Sequence, residues 1–268
     1  MDLGLKGRTA LITGSSSGLG KAIALALAQE GADVIINGRN RETINNTATE
    51  IGIKSNTNIH SCHVDATDPE GIKNFFRTNG FWLKKLDILV NNVGNLEKFG
   101  NFSNLEDKDW MRSYELTFMS MVRFTREALP LLKKSPGASI LNIGSLVSHQ
   151  PGKFNHHYVA AKAAILAVSK QMANEFGAFG IRVNVVCPST IKDGGWIRNV
   201  QDRAKRMNVS PQEAEQAMED DAKARSPLGT IGHADDVSGL IVFLASDKAK
   251  FLTGHCYNVD GGITRSIL

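Results

Sequence analysis

Short apolar runs suited to buried strands alternate with stretches of helical period along most of this chain. RTALIT (Arg8–Thr13) reads as a first strand, followed by a helix over Leu19–Glu30 with Leu19, Ile23, Ala26 and Leu27 on one face. Gly31 closes that helix. Val34–Ile36 predicts a second strand and Ile59–Val64 a weaker third. DILV (Asp87–Val90), SILNI (Ser139–Ile143), RVNVV (Arg182–Val186) and Cys256–Val259 supply four more. Long helical patterns lie between them, around Glu106–Lys133, His156–Phe176 and Ala234–Ala245. Strands alternating with helices imply right-handed βαβ units, and so an α/β fold whose parallel sheet is covered on both faces. No linker or repeat interrupts the alternation, so residues 1–268 read as a single domain.

One segment breaks the rhythm. Thr190–Pro227 is long, charged and free of strand patterns. Within it Ser210-Pro211-Gln212-Glu213 forms a capping box with proline at the first helical position. Glu213, Glu215 and Glu219 come early and Lys223 and Arg225 late, which suits the helix dipole. Just before it, Trp196, Val200, Ala204 and Met207 share a helical face. Two short helices forming a mobile lid over 190–227 are expected, because long insertions in compact domains are usually functional. Trp196, Val200 and Met207 hint at an apolar or bulky substrate beneath it.

Composition narrows the class. With 42% hydrophobic and 22% charged residues, the 268-residue chain is globular rather than disordered. Its 31 basic and 27 acidic residues leave only +4, scattered along the chain, so no nucleic-acid partner is expected. The longest aliphatic stretch, Ala22–Ala28, falls well short of the ~20 residues that span a bilayer, so no membrane partner is expected. LKGRTALITG runs straight into a glycine loop and does not resemble a signal sequence, which places the protein in the cytoplasm. Cys62, Cys187 and Cys256 are odd in number and widely spaced, which predicts buried free thiols rather than a disulfide framework.

The candidate chemistry starts at Thr13-Gly14-Ser15-Ser16-Ser17-Gly18-Leu19-Gly20, between the first strand and first helix. Glycines there let the backbone turn tightly and approach a pyrophosphate at the helix N-terminus. Gly14, Ser16, Ser17, Gly18, Leu19 and Gly20 are therefore candidate cofactor contacts. NAD binding places an acid at the end of the second strand, but this chain has Asn37-Gly38-Arg39 there, and Asp33 sits at the strand's other end. Arg39 suits a 2′-phosphate through its planar fork, which favours NADP(H) over NAD(H). Asp65, with Ala66 beside it, follows the third strand and suits the adenine amino group. Asn92 and Gly94 of Asn91-Asn92-Val93-Gly94 follow the fourth and suit the adenosine ribose. Each of these is equally a turn-former.

Tyr158 and Lys162 project from one face of a helix start. An adjacent ammonium lowers a phenol pKa from its ordinary value near 10, fitting Tyr158 for general acid–base work. Ser145, at the end of the fifth strand, completes a set that can hydrogen-bond a substrate oxygen. No histidine stands in H-E-x-x-H or a comparable ligand set, so no catalytic metal is expected. His149, His156 and His157 either line the substrate pocket or are polar loop residues. A hydrolase is set aside, because Gly144-Ser145-Leu146 lacks the G-x-S-x-G elbow.

TGSSSGLG, NNVG, Ser145, YVAAK, RVNVVCPS and FLTG…NVDGG, in that order, resemble the short-chain dehydrogenase/reductase family over almost the whole chain. The resemblance implies a Rossmann-type, doubly wound, seven-stranded parallel sheet and hydride transfer with NAD(P)(H). It further implies a homotetramer, or a homodimer, and a small-molecule carbonyl or alcohol substrate. Lys162 would hold the nicotinamide ribose as well as acidify Tyr158, and Pro188, Thr190 and Ile191 would border the nicotinamide. Three positions depart from the family. Thr117 replaces the asparagine that supports a water relay to the lysine, and Pro188-Ser189 replaces Pro-Gly. Asp193 stands where a threonine is expected near the nicotinamide amide, with Thr190 close enough to substitute. Reduced turnover follows from these departures more readily than loss of activity. The expected activity is NADP(H)-dependent interconversion of a ketone and a secondary alcohol. A 3-oxoacyl thioester reductase is one alternative, and a non-catalytic NADP(H)-binding regulatory protein is the other.

Overall fold

The strand-like runs pair entirely in parallel. A computed structural model describes residues 2–193 and 195–266; Met1, Gly194 and 267–268 of the expected domain lie outside the described residues. Strands β1 (Thr9–Ile12), β2 (Asp33–Gly38), β3 (Ile59–His63), β4 (Ile88–Asn91), β5 (Ser139–Ile143) and β6 (Arg182–Pro188) form one sheet with a last strand, β9 (Cys256–Val259). Its order is β3-β2-β1-β4-β5-β6-β9, so the strand order reverses beside β1 and a crevice opens there between β1 and β4. The register along β1 sets Ala10 opposite Val34 on one side and opposite Ile88 on the other.

Both faces of the sheet are buried, which explains the near-continuous apolar runs. Ala10, Ile12, Val34, Ile36, Ile88 and Val90 face one cluster, covered by α1 (Gly18–Gln29), α2 (Arg41–Ser55) and α9 (Ala234–Ala245). Leu11, Ile35 and Leu89 point the other way. There they meet α3 (Pro69–Asn79), α5 (Ser120–Leu132) and the end of α6 (His156–Phe176), through Phe75, Phe124 and Phe176. Each such fully buried side chain contributes about 1.5–3 kcal/mol. On α1, Ala24 and Ala28 complete the buried stripe with Ile23 and Leu27, whereas Ala26 is only half-buried.

Three expectations change. The helical pattern over Glu106–Lys133 resolves into α4 (Asp107–Tyr114), a π-helical turn over Glu115–Met119, and α5, which carries Pro130 internally. One extra residue per turn at the π segment re-aims the helix, and residue periodicity does not announce it. The segment 190–227 is not free of strand. Within it β7 (Ile191–Lys192) pairs in parallel with β8 (Gly232–His233), a ladder too short to leave a sequence pattern. Helices α7 (Trp196–Met207) and α8 (Pro211–Arg225) follow β7, the second being longer than expected at 15 residues. Trp196, Val200, Ala204 and Ala214 form a small core between them, but Met207 is 54% exposed. It is the last residue of its helix, where the chain leaves through Asn208 at φ 54° and nothing on α8 covers it.

All three thiols are free, but Cys256 is exposed rather than buried because it opens the edge strand β9. Among the described residues no helix is long and apolar enough to cross a membrane.

Candidate active site

A cleft of about 860 Å³ runs along the C-terminal ends of the sheet strands, where the strand order reverses. At its floor the glycine loop is held by its own neighbours. Ser15 Oγ donates to Ile12 O at 2.7 Å, and the Ser15 N–H donates to Asn37 O at 2.9 Å. The Asn92 amide donates to both Thr13 O and Gly14 O at 3.0 Å, so this side chain braces the loop rather than facing outward. A Cβ on Gly20 would lie 2.5 Å from Asn92 Nδ2 and from Gly14 O, and Gly14 itself has φ +61°. Gly20 therefore admits no side chain, and glycine is the least strained residue at Gly14. The first turn of α1 has no side-chain cap and no acid of its own. One carboxylate reaches it from elsewhere in the chain: Asp193 Oδ2 accepts from Leu19 N at 3.3 Å. Ser16, Ser17, Gly18 and Leu19 border the cleft with the glycines.

Arg39 follows β2, is exposed, borders the cleft, and makes no ion pair among the described residues. Asp65 lies across from it. Burial raises the Asp65 carboxyl pKa, but two hydrogen bonds from Thr67 and the nearby Arg39 and Arg112 outweigh that and hold it below its ordinary value. Both Thr67 bonds go to Oδ1 at 2.8 Å, so Asp65 does form its own turn. Ala66 and Gly94 line the cleft beside Asp65 and Asn92. A Cβ on Gly94 would come within 3.0 Å of Lys162 Nζ, so glycine there leaves room for the lysine.

Three chain segments bring Ser145, Tyr158 and Lys162 together. Ser145 follows β5 by two residues and caps a 3-10 turn over Leu146–Ser148. Asn155, at φ 64°, starts α6, and its side chain and backbone lock onto Gly100 at 3.1 and 2.7 Å. That fixes the first helical turn, which sets Tyr158 beside Ser145 in the cleft wall. One turn on, Lys162 is 2% exposed and donates to Ile143 O at 2.7 Å, with Nζ 5.8 Å from the Tyr158 ring centroid. Asn155 borders the cleft and was not legible as a site residue; its only signal is the tolerance of asparagine for left-handed backbone.

The electrostatics of this trio differ from the expectation for Tyr158. Burial pushes its phenol up to about 12, and the neighbouring Ser145 hydroxyl offsets only part of that. Burial also pulls the Lys162 amine down to about 8. Desolvation outweighs the attraction between the two because the amine is turned to a backbone carbonyl instead of the phenol oxygen.

Pro188, Thr190 and Ile191 line the far wall with Asp193. Thr117 does not line it. Fully buried on the π-helical turn, it sits behind Gly94 with a hydroxyl that has no hydrogen-bond partner among the described residues. His149, His156 and His157 also lie off the cleft. His156 packs on Phe102 at 5.6 Å and His157 on Trp110 at 6.4 Å, while His149 sits near Cys187 and Cys256.

The profile of a family described as Enoyl-(Acyl carrier protein) reductase matches residues 14–264. The chain is 33% identical to the 2-dehydro-3-deoxy-D-gluconate 5-dehydrogenase of Bacillus subtilis, covering 96% of this chain and 95% of that protein. It is 31% identical to the 3-oxoacyl-[acyl-carrier-protein] reductase of Escherichia coli, over 97% and 99% of the two chains. The solved structure of L-sorbose reductase from Gluconobacter frateurii, complexed with NADPH and L-sorbose, superposes with a TM-score of 0.93 at 30% identity and full coverage of both chains. The ordered glycine loop, the Ser145–Tyr158–Lys162 grouping and these likenesses together mean that the chain belongs to the short-chain dehydrogenase/reductase family of oxidoreductases.

Proposed function

We propose that this protein is an NADP(H)-dependent reductase of polar ketones, running in reverse as a secondary-alcohol dehydrogenase. The observation that carries the reading is the grouping of Ser145 and Tyr158 with the buried Lys162 at the head of a cleft floored by a glycine cradle. A dinucleotide fits that cradle. The open first turn of α1 and the missing Cβ of Gly20 suit a pyrophosphate, and Arg39, free of ion pairs among the described residues, suits a 2′-phosphate. Gly14, Ser16, Ser17, Gly18, Leu19, Ala66 and Gly94 would shape the cofactor's bed, and Pro188, Thr190 and Ile191 the nicotinamide end.

A bound nicotinamide supplies the hydride. At neutral pH the Tyr158 phenol is protonated, so it gives its proton to a carbonyl oxygen as that oxygen gains charge. Ser145, beside the phenol in the same cleft wall, orients the same oxygen. Lys162 places a cation behind the phenol and stabilises the phenolate left after transfer.

The cleft wall favours a hydroxylated substrate. Arg198 donates to Asn95 at 2.5 Å, Glu97 pairs with Arg112 at 2.8 Å, and Asn155 stands beside Tyr158. The apolar lid residues are spent elsewhere. Trp196 and Val200 are 3% and 5% exposed within the α7–α8 core, and Met207 faces out. L-sorbose and a deoxygluconate, named for two of the similar proteins, are carbonyl compounds of this polar kind. A 3-oxoacyl thioester reductase is the second reading, favoured by the likeness to the Escherichia coli enzyme. The 190–227 segment is read as a lid, since Asp193 and Arg198 bring it over the cleft. The same reading includes a cytoplasmic homotetramer or homodimer, which light scattering checks.

NADPH consumption against ketoses, diketones and 3-oxoacyl thioesters tests this, comparing wild type with Tyr158→Phe. The expected result is turnover of a ketose and a fall in kcat of about 100-fold or more in the variant, with NADPH binding intact. Undiminished turnover in Tyr158→Phe refutes the mechanism. NADPH binding without turnover of any compound moves the non-catalytic, cofactor-binding reading ahead.

A further inference from the structure

A second cluster of reactive side chains lies off the cleft and takes no part in the mechanism above. His149 ends the turn after Ser145, Cys187 sits near the end of β6, and Cys256 opens β9. The two sulfur atoms are 3.3 Å apart, and the ligand atoms of all three residues lie within 4.8 Å of one another. The turn that carries His149 is pinned in place. Gln150, next in sequence, donates to Ile263 O at 3.3 Å and accepts from Arg265 N at 2.8 Å.

Sheet register argues against reading the sulfur pair as a disulfide. Cys256 stands opposite Val185, and Cys187 opposite Asn258, so the cysteines are diagonal neighbours. Strands about 4.8 Å apart with a rise of about 3.3 Å per residue put such diagonal positions about 8 Å apart at Cα. A disulfide without backbone movement fails beyond roughly 7 Å. A metal ion has no such difficulty. With a Zn–S distance of about 2.3 Å, tetrahedral ligation spans about 3.8 Å between sulfurs. The pair need only open by about 0.5 Å to meet that span, with the exposed His149 ring swinging in as third ligand.

We propose that His149, Cys187 and Cys256 form a binding site for one thiophilic divalent cation such as Zn2+, bound by two thiolates and one imidazole with a fourth position open to water. The site abuts the catalytic strand end. A Cβ on Gly144 would fall 2.5 Å from Cys187 Sγ, so the backbone directly before Ser145 rests on a ligand sulfur.

Cobalt(II), titrated into the reduced protein without oxygen, is the probe. Wild type should bind one ion with a thiolate-to-cobalt charge-transfer band in the near ultraviolet, and Zn2+ should bleach it. Cys256→Ser and His149→Ala, both at exposed positions that tolerate change, should each weaken binding by more than about 100-fold, beyond the loss caused by removing a mere outer-shell partner. Cys256→Ser should also lose about half of the charge-transfer intensity, having one thiolate left. No charge-transfer band in wild type overturns the proposal, as do variants that bind cobalt as tightly as wild type. Cysteines that resist alkylation until reduced would show a redox pair instead and overturn it too. None of these readouts needs turnover, so a failed ketone panel leaves them intact.

Discussion

Replacing Lys162 by methionine should make the cofactor-free protein more stable while removing its activity. The amine is 2% exposed, and burial pulls it from 10.5 to about 8. At about 1.36 kcal/mol per pH unit, that gap is worth about 3.4 kcal/mol. Between about pH 8 and 10.5 the unfolded chain holds this proton and the folded protein does not, so stability rises with pH in that window. Below about pH 8 both states hold it and the whole cost is present. The charged bond to Ile143 O returns about 1.5 kcal/mol of it. Lys162→Met, similar in length and without charge, should therefore be about 2 kcal/mol more stable at pH 7. Near pH 9.5 wild type has recovered about 2 kcal/mol, and the two proteins should come level. Urea unfolding followed by tryptophan fluorescence at both pH values measures this. A variant less stable than wild type at pH 7, or an advantage that does not shrink by pH 9.5, would refute the reasoning.

Arg39→Ala should weaken NADPH binding by about 10- to 100-fold, the value of a charge-assisted pair, and leave NADH unchanged in equilibrium titration. Asp193→Asn should tighten NADPH binding by about 2- to 5-fold at low salt, because the acid that reaches Leu19 N at 3.3 Å competes with an arriving pyrophosphate. The gain should fade as salt is added, and a salt-independent change would point to another cause. Thr117→Val removes a buried hydroxyl without a partner, so thermal unfolding should show a gain of about 1 kcal/mol. Its kcat should stay within about twofold of wild type; a larger fall would mean that the hydroxyl does relay protons.

What the sequence disclosed follows from how local each signal is. β5 and β6 are buried along their whole lengths, so SILNI and RVNVV stand out as apolar runs. α2 has no such signal, because only Ile44, Thr47 and Ile51 of its 15 residues reach the core. The glycine loop and the Tyr158–Lys162 spacing are readable because their parts lie within one turn or one helical repeat. The contact of Asp193 with Leu19 joins residues 174 apart, and Gly100 meets Asn155 across 55. Such pairings exist only after the sheet has formed. The same holds for His149, Cys187 and Cys256, which come from one turn and two strands and form no spaced motif. The direction of the Tyr158 shift is hidden from the sequence for a different reason. Its neighbour's charge is visible in the spacing, but the desolvation that dominates it belongs to the folded surroundings.

Two enclosed charges away from the cleft show what folding does when it pairs a buried group. Asp87, 3% exposed, accepts from Thr9 N and Lys85 Nζ at 2.9 Å and from the Ser135 hydroxyl. Arg182, equally enclosed, donates to Leu252 O and Ser246 O at 3.3 and 3.4 Å. Folding satisfies both. Lys162 has one backbone carbonyl, and Arg39 has no ion pair among the described residues. The first turn of α1 has only a carboxylate brought in from the lid segment. Among the described residues none of the three has a close ion pair of its own, and all three border one cleft. A chain selected for stability alone has no reason to gather them there, and local inconsistencies of this kind mark functional sites. A molecule with phosphates at both the glycine loop and the ribose, and an oxygen that gains charge near Tyr158, supplies what each lacks. That shared deficit makes a phosphorylated dinucleotide a better fit to the cleft than either the glycine pattern or Arg39 does by itself.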